Sequence, residues 1–213
     1  MAEGPRRPAS AERGHRVSTW LYALTCRSQE AGPLGRHRAG LVARARGVTL
    51  DIGAGTGANL VHLPPAVTDL HLLEPDPHMR ARLARVAPGS AVVHPVGGED
   101  VPLPGASVDT VLLTLSMCSV DDPAAVAAEI RRVLRPGGQV LVLEHVRSED
   151  PTTARWQRRL DPVYTRLAGG CHLDRDTGGV LGAAGLDTSG LRAAQIPAPA
   201  LTRHLLVGTA VAP

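Results

Sequence analysis

Phenylalanine and lysine are both missing from this 213-residue chain, which has only two Trp and two Tyr. Such scarcity of rings argues against a single-stranded nucleic-acid partner, because those sites stack bases on aromatic platforms. The net charge of +3 does not reverse this. The arginines are scattered, no basic run exceeds a pair, and a solvated surface without nucleic-acid binding is expected. Cysteine is sparse too: Cys26, Cys118 and Cys171 lie far apart with no C-x-x-C spacing. That pattern offers neither a disulfide framework nor a metal site and fits a reducing cytoplasm, so the cysteines read as small hydrophobes. No stretch of 18 apolar residues occurs, and residues 1–16 are polar, without the apolar centre of a signal peptide. The expectation is a cytoplasmic chain with no transmembrane segment. Residues 1–15 are expected to be a disordered tail.

What remains suits one α/β domain over 16–213. Its organising stretch is Val48 to Gly57, Val-Thr-Leu-Asp-Ile-Gly-Ala-Gly-Thr-Gly. A short apolar run reads as a buried strand, and Gly53, Gly55 and Gly57 let a ligand lie on the backbone of a strand-to-helix turn. A helical stretch is expected from Asn59 to Leu63, its first amides facing that ligand. Gly53, Gly55 and Ala58 also satisfy a dinucleotide fingerprint. Asp51 favours a different ligand: its carboxylate would repel a nearby pyrophosphate and suit one carrying an ammonium and a sulfonium. Glu74 ends the second strand, where an acidic side chain can accept hydrogen bonds from ribose hydroxyls. Strands are expected at Leu70–Glu74, Ala91–Val96, Val108–Leu115 and Val140–Val146, with helices at Leu34–Ala45, Met79–Val86 and from Pro123 to Leu134. This alternation predicts a parallel sheet covered on both faces. Asp121 and Asp122 before Pro123 read as a helix start. Thr19–Ala31 could be a helix. Pro151–Ala168 reads as two short helices broken at Asp161-Pro162, Arg175–Ala184 as another helix, and Leu186–Ile196 and His204–Ala210 as a closing antiparallel pair.

The string Asp-x-Gly-x-Gly-x-Gly resembles motif I of class I methyltransferases that use S-adenosylmethionine (SAM). The likeness extends to Gly-Glu-Asp (98–100), Thr-Leu-Ser-Met-Cys-Ser-Val (114–120), Arg-Val-Leu-Arg-Pro-Gly-Gly (132–138) and Leu-Glu-His-Val (143–146). With Trp156-Gln157, Leu160-Asp161-Pro162 and Gly170-Cys171-His172-Leu173, these pieces resemble the methyltransferase-like proteins that S-methylate small thiols, and their bacterial relatives. The animal members' hydrophobic N-terminal anchor is not matched here.

The resemblance implies a three-layer Rossmann-like fold, a mostly parallel seven-stranded sheet with a final antiparallel strand, and helical cap elements at 16–46 and 147–185. It also implies SAM as cofactor, S-adenosylhomocysteine as product, no metal, and a small-molecule acceptor. Cofactor contacts implied are Asp51, Gly53, Gly55, Gly57, Asn59, Glu74, Pro75 and Met79, with Gly98 and Glu99 at the adenine and Leu115 and Ser116 at the methionine part. Tyr22 could reach the SAM carboxylate. Trp20, Cys118, Trp156, Tyr164 and His172 are expected to line the acceptor. A base would help ionise a thiol of pKa about 8.5. His145, at the carboxyl end of strand five, is the first candidate, with His172, Asp161 and Tyr164 as others. An O- or N-methyltransferase of a lipid, quinone or secondary metabolite is the alternative; a nicotinamide oxidoreductase and a SAM binder without catalysis come from other classes.

Overall fold

Strands form where short runs rich in apolar and β-branched residues occur. In the computed structural model, which describes residues 32–213, β1 (Gly47–Ile52), β2 (Val67–Leu73), β3 (Val92–His94), β4 (Val108–Thr114), β5 (Leu134–His145), β6 (Leu191–Gln195) and β7 (His204–Val211) form one sheet in the order β3-β2-β1-β4-β5-β7-β6. Pairs from β3 across to β5 are parallel, whereas β7 is antiparallel to both β5 and β6. This is the mostly parallel seven-stranded sheet that the resemblance implies. The order reverses between β1 and β4, and open α/β sheets take ligands outside the carboxyl ends of their strands at that switch point.

The helices are α1 (Pro33–Val42), α2 (Pro77–Leu83), α3 (Pro123–Val133), α4 (Pro151–Leu167) and α5 (Thr177–Ala183). Asp76, Asp122, Asp150 and Asp176 cap the starts of α2 to α5 by accepting backbone N–H bonds, satisfying donors that a helix start leaves without partners. Successive strand residues point to opposite faces, so Val111, Leu113, Val140 and Val142 pack on Val126, Ile130 and Val133 of α3, with Leu181 of α5. Leu112, Leu141, Leu143, Leu205 and Val207 face the other way, against Leu34, Leu41 and Val42 of α1. Leu83 of α2 joins Leu70 and Leu72. The result is three layers.

Two expectations need correction. The helix after the glycine loop is a single 3-10 turn, Leu60–His62. Gly57 at φ +92° bends the chain just before it, and Pro64-Pro65 follows at once, leaving no length for an α-helix. Conversely, α4 does not break at Asp161-Pro162 but runs 17 residues with Pro162 inside. Pro162 lies on an exposed stretch, where water can serve the carbonyl that the missing N–H leaves unpaired. The expected helix at 19–31, with Trp20 and Tyr22, lies outside the described residues. Among the described residues, no helix is long and apolar enough to cross a membrane.

Candidate active site

At the carboxyl end of β1 the chain turns through Gly53 (φ +69°), Gly55 (φ +59°) and Gly57 (φ +92°), a left-handed backbone that side chains disfavour. A Cβ on Gly53 would come within 2.8 Å of the Ser116 Cβ, so the turn lies against the end of β4. One on Gly55 would meet nothing nearer than a carbonyl oxygen at 3.9 Å, leaving that backbone open to a ligand. Glu74 reaches across from the end of β2. Its Oε2 accepts the Gly55 N–H at 2.8 Å and its Oε1 the Asp76 N–H at 2.8 Å. Each oxygen keeps a second lone pair for a ribose hydroxyl. Burial pushes the Glu74 carboxyl above its ordinary pKa. Arg80 donates to the Glu74 and Pro75 carbonyls, and the Met79 N–H binds Asp76 Oδ1, fixing that corner.

Asp51, in β1, is buried and bonded within the protein. It is 1% exposed, and both its oxygens accept from Asn59 Nδ2, at 3.0 and 2.9 Å. Asn59 is the hub of a buried network, donating to Thr114 Oγ1 at 2.9 Å and accepting from Arg38 Nη1 at 2.8 Å. Burial raises the Asp51 pKa to about 7 against the opposing pulls of Asn59 and Arg38.

The ends of β4 and β5 form the next wall. Leu115 sits at φ +61°, a left-handed conformation unfavourable for a residue with a Cβ, and its N–H donates to the Leu143 carbonyl. Past that kink, the Ser116 N–H, Ser116 Oγ and Met117 N–H all donate to Glu144 Oε1, at 2.8, 3.2 and 3.1 Å. Glu144 is fully buried; burial lifts its pKa to about 7, and its Oε2 has no hydrogen-bond partner among the described residues. Gly98 is buried for packing, since a Cβ there would meet Ile52 at 2.7 Å. Glu99 accepts from the Asp121 and Asp122 N–H groups and ties its loop to the start of α3.

Beyond Ser116 the chain meets the segment after α4. The His172 N–H donates to the Cys118 carbonyl at 2.7 Å, drawing Cys118 and Cys171 together. The neighbouring Cys118 thiol, helped by His145, holds the Cys171 pKa down to about 5 in spite of burial, while the Cys118 thiol is pushed up. His145 is 8% exposed, and one ring nitrogen faces the Thr202 carbonyl. Burial depresses its pKa, but Cys171 and Thr202 outweigh that and raise it. Burial also raises the Tyr164 pKa, with both thiols adding to the effect. His172 is a third exposed; its Nδ1 lies 2.7 Å from Asp161 Oδ2. Trp156 is half exposed, with the Arg159 guanidinium over its ring.

Residues 50–155 match the methyltransferase domain family. The chain is a member of that family. It is 38% identical to human thiol S-methyltransferase TMT1B over 137 residues, covering 60% of this chain and 55% of that protein. Against human thiol S-methyltransferase TMT1A it is 33% identical over 155 residues, 70% of this chain and 63% of that one. The chain thus spans little more than half the length of these curated relatives. Among solved structures, that of the [4+2]-cyclase SpnF shares the fold, with a TM-score of 0.73 at 19% identity over 98% of both chains.

Within this methyltransferase domain the structure brings Gly53, Gly55, Glu74, Leu115 and Ser116 together at the carboxyl ends of β1, β2 and β4. Cys118 and Asn59 come to the same end of the sheet but are buried, at 3% and 2% exposure. Trp20 and Tyr22 lie outside the described residues. Sequence reasoning missed Glu144, Arg38 and Gln157. Glu144 carried a signal, a charge inside the apolar run of β5. Gln157 is the one buried side chain of α4, and it pins that helix by accepting from the Ser148 N–H and donating to the Leu201 carbonyl.

Proposed function

We propose that the chain transfers a methyl group from SAM to a small-molecule acceptor, and that the acceptor atom is a thiol sulfur. The observation that carries the first half is the bond from the Gly55 N–H to the Glu74 carboxylate, which joins an open glycine backbone to a ribose acceptor at the switch point of a parallel sheet. Gly53, Gly55 and Gly57 would hold the methionine and phosphate-free nucleoside parts on backbone, with Glu74 at the ribose, Gly98 and Glu99 toward the adenine, and Leu115 and Ser116 at the reacting end. SAM bound there supplies a methyl group activated by its sulfonium. Support for sulfur comes from the two human relatives, both named thiol S-methyltransferases.

The protein's task is to align the nucleophile and exclude water, and such positioning supplies roughly 7–11 kcal/mol of a barrier. Ser116 is locked for that work by Glu144. The test is mass spectrometry of products from purified protein, SAM and a mixed panel of thiols, phenols and amines. Methyl thioethers and S-adenosylhomocysteine are the expected products. O- or N-methylated products would move the acceptor to the alternative class, and SAM binding without any product would make the chain a binder. Calorimetric binding of NAD in place of SAM would overturn the reading altogether.

A further inference from the structure

His172 and Asp161 stand together at the edge of the site, and the proposed function gives them no task. Asp161 Oδ1 accepts the Leu173 N–H at 2.6 Å, and Asp161 Oδ2 lies 2.7 Å from His172 Nδ1. A carboxylate that accepts on both oxygens places the imidazole proton on Nδ1 and leaves the lone pair on Nε2. That nitrogen has no hydrogen-bond partner among the described residues and is not among the buried polar atoms that lack one. The side chain is a third exposed, over a carboxylate that is 14% exposed. Position completes the case. The His172 N–H holds the Cys118 carbonyl at 2.7 Å, two residues past Ser116, which itself packs on Gly53. His145 is the weaker rival, because one of its ring nitrogens faces the Thr202 carbonyl and the ring is buried against Cys171, which leaves little of it open to an incoming thiol.

We infer that Asp161 and His172 form a dyad in which His172 Nε2 takes the proton of a thiol acceptor. The inference rests on the methyltransferase reading above. The acceptor's S–H bond breaks and its proton passes to Nε2. The sulfur pair forms the new S–CH3 bond as the methyl leaves the sulfonium, whose bonding electrons stay on the departing thioether sulfur. The imidazolium, steadied by Asp161, returns its proton to solvent. Asp161 is thereby a positioning residue. The charged and titratable groups that the structure sets near the ring are Asp161 on α4 and Asp174 and Cys171 on its own segment. Asp161, His172 and Asp174 also place ligand atoms within 4.8 Å of one another, so a metal role is the rival for the same side chains.

The experiment compares wild type, His172→Gln and Asp161→Asn on an alkyl thiol and on an aromatic thiol that is already ionised at the assay pH. For the alkyl thiol, His172→Gln should lower turnover about 10²–10⁴-fold, with SAM affinity unchanged. For the ionised thiol the deficit should fall below tenfold, and Asp161→Asn should follow the same pattern more weakly. A readout without turnover uses S-adenosylhomocysteine in place of SAM. The bound alkyl thiol should show thiolate absorbance in wild type and not in His172→Gln. Equal deficits on both thiols, or none, overturn the dyad while leaving the methyltransferase reading intact. Loss of wild-type activity to a chelator, restored by zinc, overturns it in favour of a metal. Wild type that binds SAM and methylates no thiol overturns both the dyad and the choice of sulfur.

Discussion

The two sides of this site are built by opposite strategies. On the β1–β2–β4 side the key polar side chains are tied within the protein: Glu74 to the Gly55 and Asp76 amides, Asp51 to Asn59, Asn59 to Thr114 and Arg38. On the other side, α4 buries only Gln157, while Trp156, Val163 and Leu167 are exposed. The first side is preorganised, so a ligand there meets amides and oxygens already aimed. The second is held by few bonds and leaves apolar surface in reach. The proposed function would put the cofactor on the first side and the acceptor on the second, since rigid preorganisation lowers the cost of binding one ligand and an open surface admits several.

The comparison breaks most visibly at Glu74. Glu74→Ala removes bonds to a charged acceptor, each on the order of 1.5–3 kcal/mol, and also releases Gly55. SAM affinity should fall about tenfold to more than a hundredfold; an unchanged calorimetric affinity in the folded variant would remove Glu74 from the site. Asn59→Ala comes next. It leaves the buried Asp51 carboxyl without its donor, so stability should fall by about 2–3 kcal/mol, read as a lower denaturation midpoint. If the midpoint holds, Asn59 is not the hub.

Glu144 sharpens the contrast through pH. Its folded pKa of about 7 lies above the ordinary 4.5, so the folded protein holds the proton more tightly than the unfolded chain. Its contribution is complete below pH 4.5 and lost as pH rises through 7, roughly 3 kcal/mol at most. Thermal denaturation should show wild type losing stability between pH 5 and 8, with Glu144→Gln losing less. Parallel curves would show that Glu144 is not the titrating group. The smallest effect belongs to α4: Val163→Ser and Leu167→Ser should change stability by less than about 0.5 kcal/mol and leave SAM affinity unchanged. A large loss of stability would mean that this face is packed after all.

Sequence reasoning reached the preorganised side more fully, for a physical reason. The central residues of β1, β4 and β5 are buried on both faces, so apolar residues predominate there, and glycine at Gly53 and Gly55 reports a backbone that only glycine adopts cheaply. Glu74 was legible because strand length fixes its distance from the loop. Asn59 and Arg38 were not, since nothing local distinguishes a polar side chain that folds inward onto Asp51. The Cys118–Cys171 neighbourhood is likewise a long-range product of one backbone bond, from the His172 N–H to the Cys118 carbonyl, and spacing rules do not reach it. On α4, Pro162 misled because a proline's cost depends on whether water reaches the freed carbonyl.

The burial of Asp51 has a consequence for how the site takes on charge. With its pKa raised to about 7, the carboxyl is part-protonated near neutrality. A ligand bearing an ammonium and a sulfonium favours the ionised form. Association of SAM should therefore expel a fraction of a proton into the medium, and the site should exchange one cation for another. Calorimetry in buffers of different ionisation enthalpy would register the exchange as a buffer-dependent heat, absent in Asp51→Asn. Affinity should strengthen as pH rises from 6 to 8, so a buried acid that need not touch the cofactor would set how strongly it is held.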